Sequence, residues 1–124
     1  GGTPVACAVA NLMLETLFFP PFIFEVQAKG EYLKKKIEEL KAKFDCIGEL
    51  RGAGMLRGFE VNTPAGYEGD LSKDLIAECK ANGLLVLRSG TNVIRLAPPL
   101  IISEKEMDEG FEIIAKSLKN KLNK

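Results

Sequence analysis

"CIGELRGAGMLRGFEVN", residues Cys46–Asn62, is the stretch on which the fold turns. Met55, Arg57, Phe59 and Val61 alternate with their neighbours, the period of a strand with one buried face. A second strand precedes them, and Gly52 and Gly54 between the two supply the backbone freedom of a tight turn. The same residues invite a phosphate-loop reading. They match neither G-x-G-x-x-G opening a helix nor G-x-x-x-x-G-K-[ST]. The residues after the glycines are strand-like, so no helix N-terminus would face an anion. The stretch predicts a β-hairpin.

A second hairpin is predicted downstream, over Leu84–Ala97. "LLVLR" is a buried-type strand, "SGTN" a turn and "VIRLA" the returning strand. Pro98-Pro99 ends it, because proline cannot donate to a ladder. Between the hairpins, "TPAGYEGD" reads as a loop and Leu71–Ala81 as a short helix with Leu75, Ile76 and Cys79 inward. Asn82-Gly83 is its stop signal. After the prolines, Ser103 and Glu106 form the capping box of a last helix, with Ile102 and Met107 placed as a hydrophobic staple. Met107, Phe111, Ile114 and Leu118 make its inner stripe.

Upstream of the first hairpin, two helices are predicted within residues 3–44. Thr3-Pro4 caps the first, "VACAVANLMLETL" continues it, and Pro20-Pro21 breaks it. The second runs from Phe22 to Lys43 on the stripe Val26, Gly30, Leu33, Ile37, Leu40 and Phe44. Phe24 lies about half a turn away from that stripe, so it should point away from the core. With the sheet and remaining helices over residues 46–119, the expectation is one α+β domain spanning residues 1–124. It should be a two-layer sandwich, a small, mainly antiparallel sheet with helices packed on one face.

The 124 residues carry seventeen basic and seventeen acidic side chains, so no charge excess points to nucleic acid or an anionic membrane. There is no histidine, which removes the commonest general base and metal ligand. Cys7, Cys46 and Cys79 are far apart, with no C-x-x-C pair. That pattern predicts buried structural thiols in a reducing cytoplasm rather than a disulfide framework or a zinc site. The apolar start lacks a positive n-region and is interrupted by Asn11 and Glu15, so it predicts neither a signal peptide nor a membrane span. With no initiating Met, it is read as the start of a processed, tagged or excised segment.

Little in the chain suggests catalysis. The carboxylates Glu38-Glu39 and Glu104/Glu106 fall on solvated helix positions, and nothing suggests the burial that would raise their pKa values. Lys34–Lys36 and the C-terminal lysines also read as solvated, unlike a lysine desolvated for covalent chemistry. Arg95 is the exception. It alternates against Ile94 and Leu96 and shares its strand face with Val93 and Ala97, beside the rigid Pro98-Pro99. Such an arginine can grip a carboxylate through two parallel hydrogen bonds. On periodicity alone the plainer reading leads, an edge arginine that snorkels to water or pairs with a glutamate.

Three segments carry a resemblance. "GGTPVACAVANLMLE" resembles the GGNP-x-A-C-A-A segment of class III (fold type I) pyridoxal-phosphate aminotransferases. "LRGAGMLRGFEV" resembles their RG-x-G-L-M-x-G hairpin. "GLLVLRSGTNVIRLAPPLIISEKEMDEGFEII" is similar to their C-terminal segment and last helix. The order is kept and nearly the whole chain is covered, with the acetylornithine/ornithine aminotransferases as the nearest type. The resemblance implies the small C-terminal domain of such an enzyme, with Arg95 as the residue that holds the substrate's α-carboxylate. It also implies that the cofactor-holding lysine and the phosphate-binding residues lie upstream. The segment alone is therefore expected to be inactive and to bind no cofactor, with pyridoxal phosphate held by the whole enzyme and the large domain as the partner.

The departure from the family pattern is "LFFPPFIF", Leu17–Phe24, where the family has a charged, amphipathic connection. A block change at one seam implies redesign, into either a repacked surface or a self-association face. Phe18, Phe19, Phe22 and Phe24 would form that face, and an engineered scaffold without enzymatic activity is the alternative reading of the chain.

Overall fold

A computed structural model describes residues 20–122, with side-chain surroundings from residue 23 onward. The predicted first helix, Cys7, Phe18, Phe19 and the side chain of Phe22 lie outside that description. Helix α1 runs Pro20–Lys43, strand β1 Ile47–Ala53, strand β2 Leu56–Val61 and helix α2 Leu71–Ala81. Strand β3, Leu87–Ser89, strand β4, Val93–Leu96, and helix α3, Glu104–Lys121, complete the order.

The two hairpins join through their second strands. The sheet order is β1-β2-β4-β3 and every pairing is antiparallel. Phe59 of β2 stands opposite Leu50 on one side and Ile94 on the other. Phe59, Val61 and Ile94 are fully buried or nearly so, and they meet the apolar stripes of the helices in one core. Leu33, Ile37 and Leu40 come from α1, Leu71, Leu75 and Cys79 from α2, and Met107, Ile114 and Leu118 from α3. Helix α1 packs on β1 and β2, α2 on β3 and β4, and α3 against both α1 and α2. The α+β reading with helices on one face of an antiparallel sheet therefore holds.

Local chemistry accounts for the boundaries. Pro20 and Pro21 fall within α1, not outside it. Asp70 caps α2 by accepting from the backbone N–H groups of Ser72 and Lys73. At α3, Ser103 Oγ accepts from Glu106 N (3.1 Å) while Glu106 Oε1 accepts from Ser103 N (3.0 Å), the capping box expected. The stripe of α1 carries a glycine because the first hairpin's turn presses on it. A Cβ at Gly30 would lie 2.7 Å from the Gly54 carbonyl.

Two strand assignments change. Met55 is buried but belongs to the turn, and β2 begins at Leu56. The predicted strand Leu84–Arg88 forms a ladder only from Leu87. The register would bring Val86, Leu85 and Leu84 opposite Leu96, Ala97 and Pro98, where β4 ends and the prolines lack donors. Inward placement of α2 holds for Leu75 and Cys79, whereas Ile76 is only partly buried.

Candidate functional site

Strand alternation divides the sheet into a buried face and an open one. The residues between Leu50, Phe59 and Ile94 emerge on the open face. Register places Arg51 opposite Gly58, Gly58 opposite Arg95 and Arg95 opposite Leu87, so the four form one row across all the strands. Around them lies a groove of about 620 Å³ whose walls include Ala53, Leu56, Ser89 and Val93. Its floor is Gly58. A Cβ there would sit 2.9 Å from the Ile94 carbonyl oxygen and 3.3 Å from Val93 Cγ1, so the strand's close packing excludes a side chain at that point. At the groove's end Gly52 adopts φ +92°, with space for no Cβ beside the Leu56 carbonyl.

The four arginines differ in what they hold. Arg51 Nη2 donates to Glu60 Oε2 at 2.6 Å. Arg57 turns to the helix side, where it donates to the carbonyls of Gly54 (2.7 Å) and Gly52 (3.4 Å) and pairs with Glu31 (3.2 Å). Arg88 pairs with Asp70 (2.8 Å) and donates to the Thr91 carbonyl, tying the β3–β4 turn to the head of α2. Arg95 makes one long hydrogen bond, to Ser89 Oγ at 3.4 Å, and no ion pair among the described residues. Its guanidinium is exposed on the open face. Among the described residues no glutamate pairs with Arg95.

Glu60 is the acid that β2 places on the open face. Its Oε1 accepts from the Glu49 backbone N–H at 3.1 Å, and that bond together with the Arg51 contact holds its carboxyl below the usual glutamate range. The parity that places Arg95 on this face places Gly58 and Glu60 there too, but cross-strand partnership has no signature in sequence. The row of Arg51, Gly58 and Arg95 was legible only from the register.

Elsewhere the charges are structural. Tyr32 Oη donates to Asp108 Oδ1 (2.5 Å), and Lys36 pairs with the same oxygen (3.3 Å), linking α1 to α3. Tyr67 Oη donates to Asp74 Oδ2 (2.6 Å). These bonds push both phenols up to about 12. Cys46 and Cys79 are free and buried, and burial pushes both thiols up. A second, smaller cleft between Leu84–Val86, Pro98-Pro99 and α3 is apolar, and its one charged side chain, Glu106, is spent in the capping box. Among the described residues no cluster of acids and cysteines could hold a metal ion, and no helix is long and apolar enough to cross a membrane.

The comparisons with known proteins agree on one family. Residues 1–118 match the model of aminotransferase class-III. The chain is 38% identical over 119 residues to the acetylornithine aminotransferase of Bacillus subtilis, covering 95% of this chain and 29% of that protein. It is 36% identical over 112 residues to the acetylornithine/succinyldiaminopimelate aminotransferase of Photorhabdus laumondii, covering 90% of this chain and 27% of that one. Among solved structures, the acetylornithine aminotransferase of Elizabethkingia anophelis superposes with a TM-score of 0.81 at 33% identity, over 97% of this chain and 31% of that one. The chain thus spans under a third of the length of the relatives it matches.

Proposed function

Since this chain belongs to the class-III aminotransferases and corresponds to part of such an enzyme, we propose that it forms the substrate-carboxylate side of an aminotransferase active site. The enzyme is of acetylornithine or ornithine type, with 2-oxoglutarate as acceptor. The observation that carries this reading is Arg95, the one arginine among the described residues without a carboxylate partner, standing over a glycine floor in an open groove. A planar guanidinium matches a carboxylate with two parallel N–H···O bonds. Leu56 and Leu87, both exposed, offer apolar contact to the rest of the ligand. The remainder of the enzyme, the large domain above all, would close over this face.

The family implies pyridoxal phosphate, which supplies the electron sink for amino-group transfer when bound. The described residues do not fit as its covalent site. No strand contributes a lysine, so no amine stands on the open face beside Arg95. We therefore assign these 124 residues binding and orientation of substrate, and no amino transfer by themselves. A cytoplasmic location suits that role.

The test is kinetic. In the complete enzyme, Arg95→Gln should raise the KM for both carboxylate substrates about 10- to 100-fold, the loss expected of hydrogen bonds to a charged group. The 124-residue chain alone, given pyridoxal phosphate and both substrates, should form no glutamate. Unchanged KM values, or turnover by the chain alone, would overturn the reading.

A second reading rests on Phe24, which is 67% exposed on α1. The Phe/Pro block at the head of that helix is where the chain leaves its family's pattern. We propose that it is a redesigned surface through which copies of the chain associate.

A further inference from the structure

The open face holds Arg51 and Arg95, with Glu49 beside Arg51 on β1 and Glu60 on β2, the strand that lies between the two arginines. Gly58 is the shared neighbour of Arg51 and Arg95, and Glu60 lies two residues along β2 on the same face. Each arginine is thus a diagonal cross-strand neighbour of Glu60, at about 7–8 Å, within reach of long side chains.

Three features of β1 decide which one Glu60 takes. Arg51 Nη2 binds Glu60 Oε2 at 2.6 Å, and the Glu49 N–H binds Oε1 at 3.1 Å. Gly48 makes the room. A Cβ there would stand 2.7 Å from Glu60 Oε1. The irregular register between Ile47 and Leu50 turns the Glu49 N–H onto the carboxylate in place of a regular ladder bond. We infer that Arg51 is a positioning residue, which keeps Arg95 open to a substrate carboxylate by holding Glu60 on the β1 side of the sheet. Without Arg51, Glu60 swings to the β4 side of the sheet and occupies the Arg95 guanidinium. This inference rests on Arg95 being the carboxylate grip.

The experiment compares Arg51→Gln, Arg51→Gln with Glu60→Gln, Gly48→Ala and Arg95→Gln in the complete enzyme. Arg51→Gln should raise the KM for the carboxylate substrate roughly two- to fivefold with kcat nearly unchanged, the competition expected of an exposed ion pair. Adding Glu60→Gln should restore the KM, which loss of a merely structural contact would not allow. Gly48→Ala, which evicts the same carboxylate without touching Arg51, should raise the KM in the same direction and covers the case in which the Arg51 variant folds poorly. In the 124-residue chain, the Arg95 Nε–H resonance should shift on Arg51→Gln and return in the double variant. If the double variant stays as impaired as Arg51→Gln, or neither Arg51→Gln nor Gly48→Ala moves the KM while Arg95→Gln does, the inference falls and the role of Arg95 stands. If Arg95→Gln itself leaves the KM unchanged, the role of Arg95 falls.

Discussion

Arg95 shows how much one residue's meaning depends on its neighbours' commitments. Alternation against Ile94 and Leu96 places it on the face away from the core, and the structure keeps it there. Whether it grips a ligand or a glutamate turns on where the nearby acids are already bound, and those bonds cross strands and helices. The same scale governs two tyrosines. Tyr32 and Tyr67 each donate to a carboxylate, which raises the folded-state pKa of each to about 12. In the unfolded chain they titrate near 10. Between those values the folded state keeps protons that the unfolded state releases, so stability is full below about pH 10 and falls as the pH climbs toward 12. Urea unfolding followed from about pH 9 to 12 should show that loss, and Tyr32→Phe with Tyr67→Phe should flatten it. A slope unchanged in the double variant would mean that these bonds do not contribute.

At the scale of elements, local signals were dependable where the chain satisfies its own backbone locally. The capping box of α3, the stop after α2 and the stripe of α1 are short-range patterns, and each appears where the residues place it. Ser103→Ala should cost about 1 kcal/mol in urea unfolding, the usual effect of losing an N-cap. Glu106→Gln should cost less, because an amide can still accept from the Ser103 N–H. Equal losses would mean that the box does not act through Ser103 Oγ. Strand ends were less legible. β3 is cut to Leu87–Ser89 by prolines on its partner, and the turn takes Met55 from β2, because a strand's length is set by the chain it pairs with.

For the whole molecule, one face of the sheet is closed by helices and the other carries the groove, with exposed Leu56 and Leu87 beside Arg95. A surface of that kind is expected to be covered in the complete enzyme. Phe24 lies apart from it, on α1. If the Phe/Pro block joins copies of the chain, sedimentation should show a dimer or larger species that Phe24→Lys shifts to monomer without loss of thermal stability. Equal, monomeric sedimentation of both forms would end that proposal.

What the amino-acid sequence determined by itself is local. Period and punctuation define the helices, the two hairpins and the α+β class, and parity assigns Arg95 to the face away from the core. The three ordered motifs also carry the family. What only the tertiary structure decided is partnership. Gly58 lies between Arg51 and Arg95, Glu60 goes to the first and not the second, and Arg95 is left open. The physical reason is that side-chain direction follows from a residue's own strand. The register between strands from different hairpins is set instead by the shared core of Phe59, Ile94 and the three helices.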